Sequence, residues 1–211
     1  MTSPVAQQAT HAKKINLRLF VPKLLFWPVI VFALVSQSVY VDGEFWDTTL
    51  EVVSFLILLV AAMGRVWVSA YISGRKNAEL VTDGPYSMTR NPLYFFSFLG
   101  YIGAGLAFEK VTVAIAFGLL FFVTHWSTIR AEEKKLRSKF GDKFEQYTRQ
   151  VPRFFPRPRK IALPDVVTFR PLVFNRAVLD CGLIMSVFIL AHLIEYGQNA
   201  HVLPILIKGV P

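Results

Sequence analysis

The sequence holds a single cysteine, Cys181, so an intrachain disulfide and a cysteine-based metal cluster are both excluded. Charge is missing from long stretches. Apolar residues make up 54% of the 211 residues, and they come in runs with almost no Asp, Glu, Lys or Arg. Such runs argue against a soluble domain and for one membrane domain. A secretory signal is also lacking: the first apolar run is long and no small-residue cleavage pattern follows it, so it is expected to stay as an anchor. The four histidines, His11, His125, His192 and His201, show no metal-ligand spacing, and no metal is expected. The net charge of +9 is spread over short stretches between apolar runs. It therefore fits anionic lipid headgroups better than nucleic acid.

What is present is an all-α pattern of about five transmembrane helices with helices at the membrane surface. Residues 1–23 form a tail, loose at first and then basic with Lys13, Lys14, Arg18 and Lys23. Leu24 to Tyr40 has no charge, and with its flanks it spans a hydrocarbon core at about 1.5 Å per residue. Val52 to Ile72 is a second run, interrupted only by Arg65. Pro92 to Phe108 and Val111 to Ile129 follow, split by Glu109 and Lys110, which reads as a tight helical hairpin. Residues 131–160 carry ten Lys or Arg against four Asp or Glu. Within them Leu136, Phe140, Phe144 and Tyr147 recur at helical spacing. Gly141 is expected to end one short helix and Asp142 to cap the next, with Glu145 as capping-box partner. Pro152, Pro156, Pro158 and Pro164 keep the chain extended before a shorter fifth run, Cys181 to Ile194. Residues 24–73 thus hold two spans, 74–160 the core with its motif loop, and 161–211 a linker and the last span. The basic tail, the 74–91 loop and 131–160 fall on one side of five spans, with the acidic loop of Asp42, Glu44, Asp47 and Glu51 on the other. The positive-inside rule makes the basic side cytoplasmic.

The chemistry-capable residues gather on that side. The segment from Glu79 to Tyr94 holds the turn signal Asp83-Gly84-Pro85 and then Arg90-Asn91-Pro92. Asn91 is expected to cap the third helix with Pro92 at its first position. The segment is either a well-made loop or an anion site at a helix N-terminus, flanked by Arg90 and Tyr94. Glu132 and Glu133 stand where the fourth run ends, poorly placed for a helix dipole. They are either part of a solvated charge run or a site for an amine or a ribose hydroxyl. His125 lies two turns before Glu132 and is either an interhelical contact or a pocket residue. Arg65 either snorkels or is functional. Gly103 and Gly105 permit close helix packing or close approach of a ligand.

Taken together, Leu80-Val81-Thr82-Asp83-Gly84-Pro85-Tyr86, Arg90-Asn91-Pro92-Leu93-Tyr94, Glu132-Glu133, Phe140-Gly141, Tyr147 and Val151-Pro152 resemble the isoprenylcysteine carboxyl methyltransferases and their phospholipid-methyltransferase relatives. The resemblance covers roughly 60–156. It implies an S-adenosylmethionine-dependent membrane methyltransferase acting at the cytoplasmic face. Carried over by position, Leu80, Val81, Tyr86, Arg90, Asn91, Pro92, Leu93, Tyr94, Glu132 and Glu133 bind the cofactor, with Gly103 and Gly105 as a phospholipid-branch cofactor motif. Two positions depart from the family. Asn91 replaces a histidine and cannot carry a proton. Thr128 stands where the isoprenylcysteine enzymes place an arginine, leaving Arg130 as the nearest one.

The implied reaction is in-line transfer of a sulfonium methyl to an amphiphilic or lipid acceptor from the bilayer. Alignment and desolvation contribute up to roughly 7–11 kcal/mol to such a step. His125, Glu133, Arg130 and Arg65 are the candidates for proton transfer or acceptor binding, and residues 151–158 are expected to cover the site. Two alternatives are an NADPH-dependent sterol-reductase-like enzyme, which shares an Arg-x-Pro-x-Tyr stretch, and a non-catalytic membrane protein. The reductase should place basic residues where Glu132 and Glu133 stand.

Overall fold

The long runs without charge become long helices. A computed structural model describes residues 27–40, 43–76, 78–157, 161 and 163–211. Helix α1 is seen over 27–35. It is followed by strand β1 (Ser36–Ser38), α2 (Phe45–Ile72), a 3-10 turn (Gly84–Ser87), α3 (Pro92–Leu106), α4 (Val111–Phe140), α5 (Asp142–Gln150), α6 (Pro171–Asn199) and β2 (Ile207–Val210). Among the described residues three helices, α2, α4 and α6, are long and apolar enough to cross a membrane. Exposed Met63, Leu119, Val123, Leu183 and Leu193 lie on these three, which suits surfaces that face lipid. This is an integral membrane protein, predominantly helical.

Among the described residues three helices reach full span length, and the first, third and fifth runs depart from expectation for local reasons. The first run stops being helical at residue 35, because Ser36–Ser38 pairs in parallel with β2. The pairing is irregular, with Ser36 opposite Ile207 and Ser38 opposite Val210. Helix α3 has 15 residues, about 22 Å at 1.5 Å per residue and short of a core of about 30 Å. The fifth run is longer than expected: α6 takes in 171–180 as well and has 29 residues. The tail through residue 26, Asp42 and Pro158 lie outside the described residues.

Helices α2 and α3 pack side by side, α4 packs on α3, and α6 packs on α2. The expected hairpin is present, with a turn at 107–110 between α3 and α4. Its two charged residues are buried, not solvated: Glu109 is 5% exposed and Lys110 3%. Lys110 Nζ donates to the carbonyls of Ala33 (3.1 Å) and Ser36 (2.6 Å), which ties the turn to the end of α1. Burial, opposed by Glu109 and Glu195, brings the Lys110 ammonium down to about 8.

No separate short helix precedes Gly141. Helix α4 runs unbroken from Val111 to Phe140, and Gly141 at φ 51° is the joint to α5. The capping box is absent: Gly141 is the cap residue and makes no side-chain cap bond, while Glu145 pairs with Arg137 at 2.6 Å. The expected apolar face is there. Phe144, Tyr147 and Val151 are buried together, with Leu136, Phe140 and Leu80 packed against them.

Candidate active site

The motif loop is held at both ends. Arg75 Nη1 donates to both carboxylate oxygens of Asp83 at 2.9 Å. The Tyr147 hydroxyl, from α5, donates to the Tyr86 carbonyl at 2.7 Å. Burial, with Tyr86 next in size, pushes the Tyr147 phenol far up, so it stays a donor. Gly84 has φ +53°, and a Cβ there would stand 2.2 Å from the Tyr71 ring. Only glycine suits both conditions.

Residues 151–157 run along the loop as a strap. Arg90 N donates to Pro152 O (2.9 Å), Thr89 Oγ1 to Phe154 O (2.9 Å), and Arg157 N to Met88 O (3.2 Å). Phe154 buries itself beside Phe121 and Ile129. The strap turns two short polar segments, distant in sequence, into one wall.

Glu133 is the centre of that wall and is 7% exposed. Its Oε1 accepts from Asn91 Nδ2 at 2.9 Å, and its Oε2 accepts from Arg153 Nε at 2.9 Å. Arg90 Nε stands 3.6 Å from Oε1, too far for a hydrogen bond, and has no other partner among the described residues though it is buried. Burial draws the Arg90 guanidinium below its ordinary value, Glu133 opposes this, and Arg153 adds to it. One carboxylate therefore faces two guanidiniums, which leaves a net positive charge with an unsatisfied donor. Asn91 does not cap α3 with its side chain. Its amide goes to Glu133 and, at 2.9 Å, to the Arg153 carbonyl.

Glu132 faces the other way. It hydrogen-bonds the Tyr94 side chain, and its charge acts on Tyr86. Burial first, then Glu132 and Tyr94, raises the Tyr86 phenol well above its ordinary value. Adjacent acids thus serve two clusters: Glu133 with Asn91, Arg90 and Arg153, and Glu132 with Tyr86 and Tyr94.

Of the expected cofactor residues, Tyr86, Arg90, Asn91, Tyr94, Glu132 and Glu133 stand in these clusters. Val81 and Pro92 are buried beside them in sequence, and the Leu93 carbonyl accepts the Ser97 hydroxyl at 2.8 Å. Leu80 packs against the α5 face. Gly103 and Gly105 do not come to the clusters. The space where a Cβ would go is filled by Leu58 of α2 at Gly103 and by the backbone of Ala114 in α4 at Gly105. These two glycines pack helices, and they leave no room there for a ligand.

The expected catalytic residues separate. Arg130 is exposed on α4. Arg65 and His125 line an apolar cavity of about 680 Å³ between α1, α2, α3, α4 and α6. Arg65 is paired within the bundle: Nη2 pairs with Asp180 Oδ2 of α6 at 3.1 Å, and Nη1 donates to Ser97. The His125 ring stacks on Phe121 at 4.5 Å and meets the Tyr94 ring edge-on at 6.1 Å. Tyr94 therefore links the Glu132 cluster to the cavity. Arg153 and Asp180 are the residues that the sequence does not single out for the site. Each is one charge in a stretch whose partner lies on another helix.

A family model described as phospholipid methyltransferase matches residues 50–143. The chain is 34% identical over 176 residues to the nickel-cobalt-cadmium resistance protein NccN of Alcaligenes xylosoxydans xylosoxydans, covering 83% of this chain and 82% of that one. It is 33% identical over 182 residues to the cobalt-zinc-cadmium resistance protein CzcN of Cupriavidus metallidurans, covering 84% and 83%. It is 32% identical over 90 residues to a protein-S-isoprenylcysteine O-methyltransferase of Schizosaccharomyces pombe, covering 42% and 38%. No solved structure matches.

Proposed function

The chain belongs to the membrane methyltransferase family of phospholipid and isoprenylcysteine methyltransferases, and from that membership we propose that it transfers a methyl group from S-adenosylmethionine to an amphiphile drawn from the bilayer. The observation that carries the reading is the pair of opposite clusters set by Glu132 and Glu133. The donor set fits the cofactor. The Arg90 and Arg153 guanidiniums, with only Glu133 between them, suit an amino-acid carboxylate, and Glu132 beside Tyr86 and Tyr94 suits an ammonium or a sulfonium. Bound S-adenosylmethionine supplies an electrophilic methyl group and leaves as a neutral thioether.

The chain's own residues do the rest. Glu133 holds Asn91 and Arg153 in place, so α3, α4 and the strap keep one geometry. Phe154 and its aromatic neighbours exclude water from the inner side. The cavity behind Tyr94 takes an apolar chain, and its charged lining groups among the described residues, Arg65 and Asp180, are already paired. An acceptor that must lose a proton meets His125 there. Its Nδ1 lies 3.2 Å from the Phe121 carbonyl, so a proton on Nδ1 leaves Nε2 as the basic nitrogen. A carboxylate acceptor needs no base. A second reading takes its support from the names of two relatives: we extend to this chain a role in resistance to divalent cations.

The test is thermal unfolding of the purified protein in detergent, with S-adenosylhomocysteine or NADPH. A hundredfold excess over Kd stabilises by about 2.7 kcal/mol, and for a chain of this size each kcal/mol is worth about 2–4 °C. S-adenosylhomocysteine is expected to raise the midpoint by several degrees and NADPH to leave it unchanged. The reverse result favours the reductase, and no shift with either sinks both readings. Labelled methyl donor, incubated with membranes containing the protein, then identifies the acceptor.

A further inference from the structure

Five ionisable groups meet at the end of the helices away from Glu132 and Glu133, and the proposed methyl transfer uses none of them. Asp47 and Glu51 come from the first two turns of α2, Glu109 from the α3–α4 turn, and His192 and Glu195 from the last two turns of α6. We propose that Glu109, His192 and Glu195, backed by Asp47 and Glu51, bind a divalent transition cation. One ligand atom from each of the three lies within 4.8 Å of the others. Two ligands at about 2.1 Å from a tetrahedral ion stand about 3.4 Å apart, so small side-chain rotations close the site.

Three further observations point to a ligand. Asp47 is 7% exposed, and no N–H or hydroxyl donor among the described residues reaches its fully buried Oδ1. The carboxyl of Glu109, itself 5% exposed, lies within hydrogen-bonding reach of both Asp47 and Glu195. Ionised carboxylates only accept hydrogen bonds, so such contacts are held by a shared proton or a shared cation. Finally, a polar cavity of about 30 Å³ opens between Glu109 and Glu195, large enough for one ion or water.

The histidine is set as a ligand would be. His192 Nδ1 lies 3.0 Å from the Phe188 carbonyl, which can only accept, so Nδ1 carries the proton. Nε2 lies 3.0 Å from Glu51 Oε1, a contact that holds a proton between them in the metal-free protein and that a cation bound at Nε2 displaces. Metal-bound histidines commonly hold the second nitrogen in this way. Lys110 is the competing positive charge, but its ammonium is already bonded to the Ala33 and Ser36 carbonyls. One imidazole among carboxylates suits a borderline divalent first-row ion such as zinc, cobalt or nickel and does not suit a soft thiophilic one. Cys181 is about 16 Å along α6 from His192 and takes no part.

The test uses the untagged full-length protein in detergent, with Co²⁺ or Zn²⁺ as the only addition. Equilibrium dialysis is expected to show one ion per chain, and bound Co²⁺ to give the visible absorption of a low-symmetry site. Zn²⁺ should raise the unfolding midpoint. Glu109→Gln and His192→Gln should each raise Kd at least tenfold, while His201→Ala leaves it unchanged. Glu109→Gln relieves carboxylate repulsion, so its metal-free midpoint should equal or exceed that of the wild type, which separates lost binding from lost fold. The proposal is overturned if the wild type binds no ion or if Glu109→Gln and His192→Gln bind like it. It does not depend on the methyltransferase reading, because binding is measured without the methyl donor.

Discussion

Glu133→Ala is expected to lower the stability of the solubilised protein by about 3 kcal/mol, the low end for breaking a buried ion pair from one side. Glu132→Ala, one residue earlier, should leave stability within about 1 kcal/mol and weaken S-adenosylhomocysteine binding tenfold to a hundredfold. The contrast follows from geometry. Glu133 is buried and answers three groups on two other segments: Asn91, Arg90 and Arg153. Without it, Asn91 keeps its bond to the Arg153 carbonyl, but two guanidiniums face each other with no anion. Arg153 is 42% exposed and water relieves part of its loss, which is why the lower figure applies. At about 2–4 °C per kcal/mol the midpoint should fall by about 6–12 °C. Glu132 holds no part of the wall together. It accepts from the Tyr94 phenol and its charge reaches the Tyr86 phenol, and a charge-assisted hydrogen bond to a ligand is worth about 1.5–3 kcal/mol. Midpoints and calorimetry on both variants check this. Equal losses of stability, or unchanged affinity in Glu132→Ala, would count against the division of roles.

The same two acids mark how far the amino-acid sequence reaches by itself. Their position at the end of an apolar run, against the helix dipole, makes both unusual. It does not separate them, because the difference lies in Asn91 and Arg153, 42 and 20 residues from Glu133. Local signals carry the turn at Asp83-Gly84-Pro85, the α3–α4 hairpin and the face of Leu136, Phe140, Phe144 and Tyr147. Signals that need a partner elsewhere do not carry. The last residues of the first apolar run give no hint of β1, since a strand is decided by β2, about 170 residues later. Arg65 reads equally as snorkelling or functional, and its partner Asp180, on α6, is not visible from the sequence. His192 shows no metal-ligand spacing in the sequence; Glu195 follows three residues later on the same helix, but only tertiary structure brings Glu51 and Glu109 to it.

Gly105→Ala is expected to be the more damaging of two glycine substitutions on α3, and the comparison decides what the Gly103-Ala104-Gly105 sequence is for. A Cβ at Gly105 would stand 2.3 Å from Ala114 Cα and 2.6 Å from Ala114 N, so one helix must move away from the other. At Gly103 the nearest atoms are Leu58 Cγ at 2.9 Å and Ile57 Cγ2 at 3.1 Å, side-chain atoms that can give way without moving a helix axis. Overpacking of a tight contact costs typically about 1–3 kcal/mol. Gly105→Ala should lie at or above the top of that range and Gly103→Ala near the bottom. The consequence reaches the other end of the hairpin. Helix α3 begins at Pro92, next to Asn91 and two residues before Tyr94, while α4 carries Glu132 and Glu133. Spreading the helices at their turn misaligns those pairs, and a shift of about 1 Å can cost a hundredfold in a positioned reaction. Gly105→Ala should therefore lose stability and S-adenosylhomocysteine affinity together, and Gly103→Ala should lose little of either. A cofactor-cradling motif makes the opposite prediction: both variants would lose affinity at unchanged unfolding midpoint.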